Sequence, residues 1–100
     1  GNAYITSTLG GEYNTIIGAG DSAIIGGQNN MISGGTDANT VSRSVIIGGT
    51  GITGNTTDTV YVPKLETDEA GEGIIMKSPN GTRFKITVSD VGVVLAASVV

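Results

Sequence analysis

The stretch YNTIIGAGDSAIIGGQNNMISGG, residues 13–35, decides the fold. It holds TIIGA (15–19), AIIGG (23–27) and MISGG (31–35), and STLGG (7–11) precedes it, so four apolar pulses follow one another at a spacing of eight residues. A fifth copy, VIIGG (45–49), arrives after an interval of 14, which calls for either a further rung within 39–43 or a loop that bulges there. Each pulse is closed by one or two small residues, and the intervening GEYN, GDS, QNN and TDANTVSRS are rich in turn formers. Self-similarity at a fixed period marks a stacked-repeat architecture, read here as a thin coil with one rung per eight residues.

The doubled isoleucines carry the next step. Successive side chains on a strand point to opposite faces, so Ile16 and Ile17 cannot share one, and the same holds for Ile24 with Ile25 and Ile46 with Ile47. A single coil buries one of those faces inside itself and leaves the other as an apolar strip along its length. Burying a side chain such as Ile is worth roughly 1.5–3 kcal/mol, so a stack of exposed isoleucines is expected to need a cover, and threefold self-association is the simplest one. Ile16, Ile17, Ile24, Ile25, Ile32, Val45, Ile46 and Ile47 are therefore expected in the core of the coil or of the trimer.

The composition around this stretch agrees. The chain of 100 residues has one Phe, no Trp, three Tyr and three Leu, so its apolar content is nearly all Ile and Val, which suit a pleated sheet. Residues 1–54 hold 13 of the 17 glycines but only 4 of the 14 charged residues. Three sections follow from this: a glycine-rich repeat shaft over 1–54, a strand and acidic connector over 55–73, and a β-meander tip over 74–100. Within the connector, residues 59–65 alternate like a strand until Pro63, and 66–73 is acidic. In the tip, 74–77, 82–88 and 93–97 read as strands joined by Ser78-Pro79-Asn80-Gly81 and Asp90-Val91-Gly92. Phe84, Ile86 and Val88 alternate with Arg83, Lys85 and Thr87 and are expected to face the trimer core.

Several function classes lose support. Without cysteine there is no disulfide framework and no thiolate metal site, and without histidine the commonest general base and metal ligand is missing. Five scattered basic residues in a chain of net charge −4 give no footprint for nucleic acid, and no apolar run approaches the length of a membrane span. Residues 16–23 imitate a dinucleotide-binding turn, but that motif needs a following helix, and another β pulse follows instead. Asp21 and Asp37 sit at different offsets from their glycines, unlike the periodic carboxylates of a calcium-loaded roll. Glu66, Asp68, Glu69 and Glu72 beside glycine read as a solvated linker. No paired carboxylates flanked by aromatics suggest a glycan-cleaving enzyme, and no cofactor is expected.

Residues 3–54, through YNTIIGAGDSAIIGGQNNMISGG and SRSVIIGG, resemble the head repeats of trimeric autotransporter adhesins and similar arrays in phage tail fibres. That resemblance implies a homotrimeric, left-handed parallel β-roll or β-solenoid, an all-β fold here followed by the C-terminal meander. GIIMKSPNGTRFKITVSDVG (73–92) also resembles the C-terminal end of phage fibre and structural proteins, which favours the phage. The expected role is a structural shaft and distal tip of a tail fibre in the virion. The expected partners are further copies of the chain, other tail fibre or baseplate proteins, and a host cell-surface glycan or protein. The alternative is a segment of a bacterial trimeric surface adhesin, extracellular, for which amphipathic barrel strands beyond VVLAASVV are expected. Arg83 and Lys85 are candidate receptor contacts, a basic collar for an anionic glycan.

Overall fold

The computed structural model describes residues 5–34 and 41–99, and among them every regular element is a strand. The chain divides into two units, residues 1–64 and 65–100.

In the first unit the Ile-rich pulses form short strands, each ended by a corner. They are β1 (Thr6–Leu9), β2 (Thr15–Ile17), β3 (Ala19–Gly20), β4 (Ser22–Ile25), β5 (Met31–Ser33), β6 (Val41–Ser42), β7 (Val45–Ile47), β8 (Thr53–Gly54) and β9 (Val60–Tyr61). Three parallel sheets result, in the orders β1-β4-β7-β9, β2-β5-β8 and β3-β6. The chain visits the sheets in turn and returns to the first one rung later.

That return corrects the expected rung length. Thr8 pairs with Ile24 and Ile16 with Ile32, so one turn takes 16 residues, and the eight-residue spacing separates two sides of the same turn. Ile24 pairs with Ile46, so the next turn takes 22, and Ile46 pairs with Tyr61 after 15. The long interval before VIIGG now has an account. Ala19 pairs with Val41, which makes residues 41–42 a genuine strand, while the six extra residues fall between Ser33 and Val41. Positions 35–40, which include Asp37 and the start of the suspected 39–43 rung, lie outside the described residues.

The interior is filled by side chains from the ladders of all three sheets. Ala19, Ile24, Ile32, Val41 and Ile46 are buried, with Ile16, Ile52 and Tyr61 packed against them. Sequence alternation decides membership: Ile24 and Ile46 are 0% exposed, whereas their neighbours Ile25 and Ile47 are 41% and 45% exposed. Strand β9 stops at Tyr61, well short of the alternation over 59–65, because Pro63 has no N–H to give to a ladder.

Two devices hold successive rungs in register. Asn30 is 1% exposed, and its carboxamide nitrogen donates to the Gly48 and Gly49 carbonyls at 3.4 and 3.2 Å. Its oxygen accepts from the Ile52 amide at 2.9 Å. Asn14 does the same one rung earlier, donating to Gly26 and Gly27 and accepting from the Asn30 amide at 3.1 Å. The glycine beside each carboxamide is required: at Gly27, with φ of +77°, a Cβ would overlap the Gly49 carbonyl oxygen of the next rung.

The second device is a corner motif. Asp21, Arg43 and Asp58 all have positive φ, at 48°, 56° and 58°, and a hydroxyl follows each. Ser22 and Thr59 donate to the carbonyls of Gly20 and Thr57, two residues back, at 2.8 and 3.1 Å, whereas the Ser44 hydroxyl donates its one proton to the Thr56 carbonyl at 2.5 Å and lies 3.5 Å from that of Ser42. These bonds stabilise a left-handed corner that a side chain would otherwise disfavour.

The second unit is an antiparallel meander of β10 (Ile74–Lys77), β11 (Arg83–Val88) and β12 (Val94–Ser98), within a residue of the sequence expectation. Asn80 shapes the first turn: its side-chain oxygen accepts from the Thr82 amide at 3.0 Å and from the Ser78 hydroxyl at 2.8 Å.

Candidate functional site

No catalytic constellation was expected, so the candidate sites are surfaces. The sheet β1-β4-β7-β9 has an inner column, Thr8, Ile24, Ile46 and Tyr61, flanked by two outer ones. Leu9, Ile25 and Ile47 form the first, and Ser7, Ala23, Val45 and Val60 the second. Apart from Ser7 the outer face is apolar, and Leu9 and Val60 are the most open of its large apolar residues, at 67% and 62% exposed. The outer face of β2-β5-β8 differs, since Thr15, Met31, Thr53, Ile17 and Ser33 alternate polar with apolar. One side of the first unit is therefore markedly drier than the other.

Of the residues expected in the core, Ile24, Ile32 and Ile46 are fully buried and Ile16 is half-buried against them. Ile17, Ile25 and Ile47 face outward, and Val45 is half-buried on the outer face. Leu9, Ala23 and Val60 complete that face and were not anticipated. The signal for Leu9 was available, because it stands 16 residues before Ile25.

At the adjoining corner a column of alternating charge runs Asp21, Arg43, Asp58. The Arg43 guanidinium makes a two-pronged ion pair with Asp58, its second contact at 3.1 Å, and the Asp21 carboxylate accepts from the Ile5 amide at 3.3 Å. The hydrogen bond from Arg43 holds the Asp58 carboxyl below its ordinary pKa, and the same bond raises that of Arg43. Both groups are exposed, so solvent screens the pair. At the far end of the coil, Tyr61 lies over Gly54, and its oxygen accepts from the Asn55 and Thr56 amides at 3.1 and 2.9 Å. Hydrogen bonding from the Thr56 hydroxyl, then from these amides, lowers the phenol pKa.

In the C-terminal meander, register sorts the side chains onto two faces. Ile74, Met76, Phe84, Ile86, Val88, Val94 and Ala96 share one, with Phe84 and Ile86 half-buried and Val88 exposed. The opposite face carries Arg83 and Lys85, together with Lys77, which pairs directly across from Arg83. Lys85 is engaged: its Nζ lies 3.3 Å from a carboxylate oxygen of Glu72 in the acidic connector. Sequence reasoning missed Lys77 because its placement depends on the register of the 78–82 turn.

Comparison with protein-family models, with curated proteins and with solved structures gave no match.

Proposed function

We propose that this chain is a structural section of a phage tail fibre, a homotrimeric β-roll shaft ending in a small tip that supports attachment to a host receptor. The observation that carries the proposal is the apolar outer face of β1-β4-β7-β9, with Leu9, Ile25 and Ile47 aligned in one column and Ala23, Val45 and Val60 in the next. No charged residue interrupts either column. A strip built by stacking rungs repeats along the coil, and a parallel copy offers the same strip at the same spacing. Three copies meeting along one axis bury all three strips and leave the more polar β2-β5-β8 face to solvent. The function is then mechanical, with attachment strengthened by threefold presentation. The phage rather than the adhesin is favoured by the resemblance of 73–92 to phage fibre ends, a stretch that folds as the hairpin β10-β11.

The test is the native mass by multi-angle light scattering. The chain weighs 10.0 kDa, and the trimer is expected at about three times that mass. Ile25→Glu combined with Ile47→Glu places charge on the strip and is expected to return the mass to that of one chain. A wild-type mass of one chain, or a double variant that keeps the wild-type mass, refutes the proposal.

A further inference from the structure

The pairing of Lys77 with Arg83 is the least expected feature of the tip. Directly opposed residues on antiparallel strands have Cβ atoms about 5 Å apart, and like charges in that position repel. Lys85 is two residues along β11 from Arg83, hence about 7 Å away on the same face, and its charge is met by Glu72. Lys77 and Arg83 are both exposed, and neither makes an ion pair among the described residues. In a chain of net charge −4 with only five basic residues, two cations are thus set side by side at a cost to the free protein. An anion held between them removes that cost.

We infer that the Lys77–Arg83 face of the tip binds an oxyanion-bearing polysaccharide. The Arg83 guanidinium offers a planar fork to a carboxylate, sulfate or phosphate oxygen pair, and the Lys77 ammonium supplies a second point charge beside it. The site lies on a strand surface rather than in an enclosed pocket, which suits an extended polymer that lies along the sheet better than a small ion. Ile75 and Leu95 share the face and are about half exposed, so apolar sugar edges have surface to rest on. A nucleic acid is a poorer match, because this face carries no aromatic side chain on which bases could stack and only two cations without an ion pair among the described residues to follow a phosphate backbone. The inference concerns each tip by itself and holds whether or not three chains associate.

The experiment titrates the intact 100-residue chain with alginate, dextran sulfate and neutral dextran by isothermal calorimetry at two salt concentrations. Alginate or dextran sulfate is expected to bind, more weakly at the higher salt, and whichever binds identifies the oxyanion. K77Q or R83Q is expected to weaken binding about tenfold, whereas the charge-keeping K77R stays within about threefold of wild type and R83K, which keeps the charge but loses the fork, falls between the two. Should R83Q fail to fold by circular dichroism, K77Q alone decides the matter. Dextran binding as tightly as the charged polymers, unchanged affinity in K77Q and R83Q, an equal loss in K64Q, a lysine of the first unit, or tighter binding of duplex DNA would each overturn the inference.

Discussion

Replacing Asn30 by Ala isolates what the carboxamide column contributes to the coil. Asn30 is 1% exposed and joins three rungs: its amide donates to Asn14, its oxygen accepts from the Ile52 amide, and its nitrogen donates to Gly48 and Gly49. The variant keeps the backbone bond to Asn14 and loses the rest. Gly49 still accepts from the Gln28 amide at 3.0 Å, so the damage concentrates on the Ile52 amide, left without its acceptor, and on the Gly48 carbonyl. An orphaned buried amide costs about 1–3 kcal/mol and each lost net hydrogen bond about 1 kcal/mol, which together give a destabilisation of about 3 kcal/mol. For a unit of this size, that corresponds to a fall in Tm of roughly 10–25 °C. Thermal unfolding followed by circular dichroism, at one protein concentration because self-association raises Tm, measures it. Asn14→Ala, whose side chain is only half-buried, is expected to cost less. A loss in Asn30→Ala below about 0.5 kcal/mol, the scale of an ordinary surface change, would refute the reasoning that these carboxamides hold the rungs together.

Two further outcomes follow from the same structure. Ile46→Ala removes a fully buried side chain from the inner column and is expected to cost about 2–5 kcal/mol in urea unfolding, whereas Ile47→Ala, on the outer face, leaves the unfolding of a dissociated chain nearly unchanged. Equal losses in the two variants would contradict the in–out alternation. Asp58 is held below its unfolded pKa by Arg43, so its contribution to stability is present above the ordinary carboxylate range and disappears as pH falls through its folded value. Asp58→Asn keeps a side chain that tolerates positive φ and removes only the charge. Its Tm is expected to lie slightly below that of wild type near neutrality and to converge with it under acid; a gap that widens on acidification would reverse the assignment.

Strand content and inward-outward alternation were legible in the sequence because Ile-Ile doublets leave no other arrangement in a strand. Rung length was not. An eight-residue repeat looks the same whether it marks consecutive rungs or two sides of one rung, since either choice places Ile16 and Ile24 inside. The discriminating signal was the spacing of Asn14 from Asn30 and of Gly10-Gly11 from Gly26-Gly27, each 16 residues, which reports the register directly. The corners at Asp21, Arg43 and Asp58 were illegible for a different reason. Left-handed turns are sought at glycine, and here a hydroxyl on the following residue does the stabilising. In the tip, the strands were readable from alternation and the Pro-Asn-Gly turn. The Lys77–Arg83 pair was not, because it needs a hairpin register that no single strand encodes.

The unequal turns of the coil, 16, 22 and then 15 residues, have a consequence for how such a chain tolerates change. Ladder register is set on the sheets by the stacked asparagines and the corner hydroxyls, so the number of residues spent between Ser33 and Val41 is independent of it. Length can be added or removed between those two positions while Ile24 stays opposite Ile46. The chain thus has a natural port for grafted peptides, one expected to leave the pairing of the strands before and after it undisturbed.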